Sequence, residues 1–281
     1  MRRQYLDSPF GQVHVTLVGS GKPIILLPWF PLSAEMYASE FGAFAQAGWQ
    51  VIAVDPLGQG NSIALERGLT IEAHARAIAG ALKNLELEKP VVLGGHMGSQ
   101  IATALIAQDG LNVSALVLDG GPMVDPKVLE GLFAKMGRVT GDLIPEAGET
   151  PPDFLFNQAL NTYDIFAPGF QATAETLPLV YRFIRDYLNA YLPVGGAGLT
   201  SDTPPGYEFA GALGSLDLPT LILTAQTEPL ASSFEPMCQA CLAPKATHVF
   251  PGDHPLHAPA RAGEFAAAID AGLKELGVGP A

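Results

Sequence analysis

The feature that most constrains this 281-residue chain is a series of short, nearly uninterrupted apolar runs: P-I-I-L-L (23–27), Q-V-I-A-V-D (50–55), P-V-V-L-G-G (90–95), S-A-L-V-L-D (114–119) and P-T-L-I-L-T-A (219–225). A strand with one face in water alternates apolar and polar residues. A strand that is apolar throughout is buried on both faces, as in a parallel sheet covered by helices. Q-V-H-V-T-L-V (12–18) does alternate, and A-T-H-V-F-P (246–251) is a further strand candidate. Helix-period stretches fall between the runs, at 34–47, 71–87, 97–108, 231–241 and 258–276. Thr70 caps the second of these, with Glu72 in its first turn. Strand alternating with helix predicts an α/β fold: a mainly parallel central sheet with helices on both faces.

The rhythm breaks between 122 and 215, where buried strand runs are missing. Helical pieces occur there instead, V-L-E-G-L-F-A-K-M near 128 and L-V-Y-R-F-I-R-D-Y-L-N-A-Y-L near 179, joined by connectors such as I-P-E-A-G-E-T-P-P. This predicts a core domain made of 1–121 and 216–281, with 122–215 inserted as a helical cap. The second piece carries Tyr181, Phe183, Tyr187 and Tyr191. Helical spacing makes core packing their first explanation, and a cap would also turn some of these rings toward a pocket.

The chain is 48% hydrophobic and 15% charged, enough for one sizeable core. Lys plus Arg number 15 against 28 Asp plus Glu, a formal charge of −13 that repels nucleic acid and anionic membrane surfaces. The basic start M-R-R-Q-Y-L-D-S is not followed by an apolar signal segment, and no stretch approaches the ~20 apolar residues of a membrane span. The expectation is a soluble, cytoplasmic protein. Cys238 and Cys241 have neither a second ligand pair nor a thioredoxin-like setting, so they read as a helix face, and no metal or organic cofactor is expected.

The residues that carry chemistry sit where one apolar run stops: L-G-G-H-M-G-S (93–99), with small residues Gly94 and Gly98 flanking His96. A sharp turn from strand to helix needs small residues at those two places, which puts His96 at its tip. The alternative is that one residue has been lost and Ser99 is the nearest hydroxyl, pointing along the helix instead of out of the turn.

Four segments in order resemble the α/β-hydrolase superfamily over nearly the whole chain: V-D-P-L-G-Q-G-N-S (54–62), the elbow at 93–99, L-T-A-Q-T-E-P-L (223–230) and F-P-G-D-H-P-L-H (250–257). The resemblance implies that His96 stands at the nucleophile position, where Ser, Cys or Asp is usual. It places Glu228 at the triad-acid position and His254 at the catalytic histidine. Asp119, ending the strand before the insertion, is a rival acid, because some family members carry theirs there. His257 reads as a flanking surface or cap-facing residue, and Asp55 and Ser62 as braces of their own turn.

A second departure lies in L-L-P-W-F-P-L-S (26–33), where Pro28 and Trp29 replace the family's His-Gly pair. Phe30 then holds the oxyanion-donor position, with the Met97 N–H as the second donor. The side chains of Trp29, Phe30 and Met97 read as pocket wall.

With His254 oriented by Glu228, such a site hydrolyses an ester, lactone or related carbonyl bond of a small, apolar or aromatic substrate. His96 acts as nucleophile or water-activating base and His254 as acid and base. Two rivals stand beside this reading. One is a non-hydrolytic enzyme of the same fold, a lyase, isomerase, cyclase or cofactor-free oxygenase, using both imidazoles for proton transfer. The other is a non-catalytic small-molecule binder. The expected partner is the substrate, with a homodimer left open.

Overall fold

The computed structural model describes residues 1–63, 69–108, 110–136, 151–191 and 206–280. Eight strands form one sheet: β1 (Arg2–Ser8), β2 (Gly11–Val18), β3 (Lys22–Leu27), β4 (Trp49–Val54), β5 (Val91–Gly95), β6 (Ala115–Asp119), β7 (Thr220–Ala225) and β8 (Lys245–Phe250). Their order is β1-β2-β4-β3-β5-β6-β7-β8. β1 and β2 pair antiparallel, as do β2 and β4, and every pairing from β4 to β8 is parallel.

The continuous apolar runs are explained by two cores, one on each face. Ile24, Leu26, Val51, Leu93, Val117 and Leu221 pack on one side with Phe41 and Phe44 of α1 (Phe41–Gln46) and Phe265, Ile269 and Leu273 of α9 (Glu264–Glu275). Ile25, Leu27, Ile52, Val92, Leu116 and Ile222 pack on the other. Their partners there include Ile71 and Ile78 of α2 (Ile71–Leu82) and Ile101 and Leu105 of α3 (Met97–Ala107). Successive strand residues point to opposite faces, so with both faces covered apolar side chains are favoured at both.

Between β6 and β7 lie α4 (Pro126–Met136), α5 (Pro151–Phe166), α6 (Leu177–Tyr191) and α7 (Phe209–Gly214). Ala159, Tyr163 and Phe166 of α5 and Val180, Phe183 and Tyr187 of α6 join the first core. Phe209 and Leu213 of α7 pack into the second core, with Met237 of α8 (Phe234–Ala240). Tyr181 is 62% exposed, whereas Phe183 and Tyr187 are buried. The side chain of Tyr191 lies outside the described residues.

Three differences from the sequence reading have physical causes. The stretch 34–47 is a short 3₁₀ turn, Ala34–Tyr37, followed by α1, because Glu40 leaves the pattern to serve another element. Its buried carboxylate accepts from the N–H groups of Gly263 and Ala266, capping α9 from outside. β1 escapes notice because only Leu6 of its residues is buried. α5 begins at Pro151, inside what reads as a connector, because proline in a first helical turn forfeits no hydrogen bond. The Thr70 cap is present, with its hydroxyl 3.2 Å from the Ala73 N–H.

The register sets the site. Gly95 at the end of β5 lies opposite Asp119 at the end of β6, which lies opposite Leu223 on β7. The loops leaving the carboxyl ends of these strands therefore open at one edge of the sheet, where α/β proteins place ligands.

Candidate active site

His96 stands at the tip of the β5–α3 turn with φ 49° and ψ −108°. A non-glycine residue at positive φ is strained by about 1–3 kcal/mol and persists only where its surroundings enforce it. They do so here. A Cβ at Gly94 would lie 2.1 Å from Gly98 O, and one at Gly98 would lie 2.5 Å from Leu27 O, so neither position admits a side chain. The His96 N–H donates to Asp119 O at 3.1 Å, and the Ser99 N–H to His96 O at 3.1 Å. Ser99 Oγ is buried, 2.7 Å from both Gly94 O and Gly120 O. The nearest hydroxyl thus clamps the turn from inside and does not face a substrate.

The His96 ring is held on three sides. Trp29 stacks on it with centroids 4.1 Å apart and planes 6° apart. Gly120 lies on a second side, where an added Cβ would be 2.9 Å from His96 Cδ2. On the third, Nε2 is 3.0 Å from Glu228 Oε1. This last contact has the distance of an ion pair but not the alignment of a hydrogen bond, and neither Glu228 oxygen has a hydrogen-bond partner among the described residues. The Glu228 side chain is only 2% exposed and that of His96 12%, so the ion pair is largely shielded from water.

His254 takes its carboxylate from the other acid. Its Nε2 is 3.0 Å from Asp119 Oδ1, and its Nδ1 accepts from the Leu256 N–H at 3.3 Å. An accepting Nδ1 places the proton on Nε2, which donates to Asp119. The expectation that Glu228 orients His254 is therefore corrected: Asp119 pairs with His254, and Glu228 pairs with His96. The reason is register. Asp119 ends a strand directly beside the elbow, whereas Glu228 lies beyond the end of β7, on the turn that brings it to the elbow tip.

His257 is buried and not a surface residue. It packs against Trp29 at 5.0 Å, Tyr163 at 5.6 Å and Phe166 at 5.8 Å, facing the α5 insertion helix. Burial, then the charges of His254 and His96, push its imidazole well below its ordinary range, so it is neutral. Phe166 also approaches the His96 ring, at 5.8 Å. Phe166 and Tyr163 thus bring rings of α5 to these histidines, from an N-T-Y-D-I-F segment that gives no pattern to mark it.

Of the expected oxyanion groups, Met97 is the first residue of α3, where an N–H has no acceptor within its own helix. Its half-buried side chain packs against the second core. Phe30 is half-buried and precedes a cis peptide bond to Pro31. The side chain of Asp55 braces its turn as read, accepting from the Ala34 and Asn61 N–H groups at 2.8 and 2.9 Å, and Ser62 donates to Asp55 O at 2.6 Å. Asp55 is also 2.9 Å from His14 Nδ1, a buried pair that the sequence does not reveal. Cys238 and Cys241 are free thiols in and just after α8. Among the described residues no cluster of His, Cys, Asp or Glu is arranged to hold a metal, and no helix is long and apolar enough to cross a membrane.

Residues 22–257 match the α/β hydrolase fold family, and the chain belongs to it. Among curated relatives, 138 residues are 32% identical to the 2-hydroxy-6-oxononadienedioate/2-hydroxy-6-oxononatrienedioate hydrolase of Paraburkholderia phymatum, covering 43% of this chain and 48% of that one. The chain thus spans about half the length of that relative. Among solved structures, a bromoperoxidase from Bacillus anthracis superposes with a TM-score of 0.76 at 20% identity, over 97% of this chain and 100% of that one. The esterase EaEST from Exiguobacterium antarcticum does so with 0.75 at 19% identity, over 95% and 99%. At these identities the likeness of structure shows the fold.

Proposed function

We propose that this protein is a hydrolase of an ester, lactone or related carbonyl bond in a small, apolar substrate, with the His96–Glu228 pair as its reacting centre. The observation that carries this reading is a carboxylate-paired imidazole at the strained tip of the elbow, 3.0 Å from Glu228. A carboxylate beside an imidazole orients the ring and stabilises the imidazolium formed as a proton is transferred. With Nε2 toward Glu228, Nδ1 is the basic nitrogen. It takes a proton from water, the resulting hydroxide adds to the substrate carbonyl, and the imidazolium returns the proton to the leaving group. The Met97 N–H, at the positive end of α3, is placed to stabilise the developing oxyanion. His254, with both nitrogens engaged, anchors Asp119 and the 254–256 loop and does not relay this proton. Helices α5 and α6 serve as the cap, and Phe166 and Tyr163 give it an aromatic underside suited to an apolar substrate.

A second reading, proton transfer without hydrolysis, is favoured by one observation: the elbow tip, where the family resemblance leads one to expect a hydroxyl, carries an imidazole stacked on the Trp29 indole. Turnover of an activated aryl ester by wild type, His96→Ala and Glu228→Gln tests the first reading. Hydrolysis by wild type that is lost in His96→Ala supports it, and full rate in His96→Ala refutes it. An inert wild type that exchanges deuterium into a carbonyl compound's α-carbon selects the second reading. Ligand-induced stabilisation without turnover or exchange indicates a binder.

A further inference from the structure

We propose that Trp29 is the positioning residue of this site: its indole fills the space between the elbow imidazole and His254, holds His96 against Glu228, and keeps the two carboxylate–imidazole pairs apart. The ring stacks on His96 at 4.1 Å and meets His254 edge-on at 5.3 Å, 73° between planes. It is 3% exposed, and Phe166 closes it in at 5.7 Å. Its Nε1 is buried with no hydrogen-bond partner among the described residues, so packing and not a hydrogen bond fixes the ring.

Two glycines make this arrangement possible. A Cβ at Gly95 would lie 2.0 Å from Trp29 Nε1, and one at Gly120 would lie 2.9 Å from His96 Cδ2. Positions 29, 95, 96 and 120 therefore interlock: an indole where the family resemblance leads one to expect glycine, an imidazole where it leads one to expect a hydroxyl, and a bare backbone behind each ring. Direct proton exchange needs heavy atoms about 2.6–3.2 Å apart. With the indole between the rings, and both His254 nitrogens already engaged, His96 and His254 act as separate centres. The two departures from the family pattern are one coupled change.

The inference rests on His96 as the reacting group only where turnover is measured; the spectroscopic test stands without it. In ¹⁵N-histidine NMR of the neutral imidazole, wild type is expected to hold the His96 ring as the single Nε2–H tautomer. Trp29→Leu is expected to give mixed tautomers or a broadened His96 signal while His254 is unchanged, and Trp29→Phe an intermediate result. A Trp29→Leu spectrum with His96 still a single sharp Nε2–H tautomer overturns the positioning role. In the turnover arm, Trp29→Leu is expected to lower the wild-type rate on an activated aryl ester at least about tenfold through the displaced His96 ring, a difference of about 1.4 kcal/mol in barrier. A folded Trp29→Leu variant that keeps the wild-type rate overturns the claim that the indole positions the reacting imidazole.

Discussion

Asp119 and His254 form a closed pair. Nε2 of the imidazole is 3.0 Å from Oδ1, the side chains are 2% and 1% exposed, and the remaining ring nitrogen is occupied by the Leu256 N–H. In a relay of the usual kind one nitrogen must stay open toward the nucleophile. Here none does, whereas the elbow imidazole of His96 lies 3.0 Å from a different carboxylate, that of Glu228.

Glu228→Gln separates activity from stability. Removing the charge beside His96 is expected to lower kcat by about 10–100-fold, the scale of a general base that has lost its orienting acid. It should not lower Tm, because a buried carboxylate without hydrogen bonds is itself costly. Steady-state kinetics and calorimetry on the same samples check both halves.

The glycines behind the rings are the places where a single methyl group should matter. Gly95→Ala drives a Cβ into the Trp29 indole, and Gly120→Ala adds strain at φ 68° to a clash with His96. Each is expected to cost about 1–3 kcal/mol by overpacking and to lower turnover at least about tenfold through the displaced ring. Urea unfolding and aryl-ester turnover read the two effects.

His74 predicts the acid side of the stability profile. It is fully buried in α2, both ring nitrogens lack partners among the described residues, and burial pushes its imidazole down to about 4. The unfolded chain, titrating near 6.5, then binds a proton that the folded chain does not. Stability is full above pH 6.5 and falls toward pH 4, with a loss of about 2–3 kcal/mol at about pH 4.5. His257, also held neutral, adds in the same direction. Urea unfolding at neutral and acid pH should show His74→Leu losing less stability than wild type.

Asp186 ties α6 to the core. It is fully buried and accepts from the Ser33 N–H and hydroxyl at 2.8 and 2.7 Å and from Arg185 at 2.6 Å, while Arg185 also reaches Glu35 at 2.8 Å. Asp186→Ala leaves the buried Ser33 N–H without its acceptor and Arg185 with Glu35 as its remaining carboxylate, and is expected to cost about 3 kcal/mol or more. Limited proteolysis should then cut first within the insertion between β6 and β7, and denaturant unfolding gives the magnitude.

Much of this architecture is legible in the chain because it depends on local pattern. Apolar runs that leave no polar face dictate a sheet covered on both sides, and Gly94 and Gly98 around His96 dictate the elbow, since both act through near neighbours. What the sequence by itself determined is therefore the fold class, the strand ends and the residue at the tip. Tertiary structure decided which carboxylate serves which imidazole, because Asp119, Glu228, His96 and His254 meet only through strand register and loop reach. It also decided that the indole of Trp29 lies between the two rings. A side chain's partners across 67 to 225 residues of sequence separation are set by how the sheet stacks its strand ends, and no spacing in the chain encodes that.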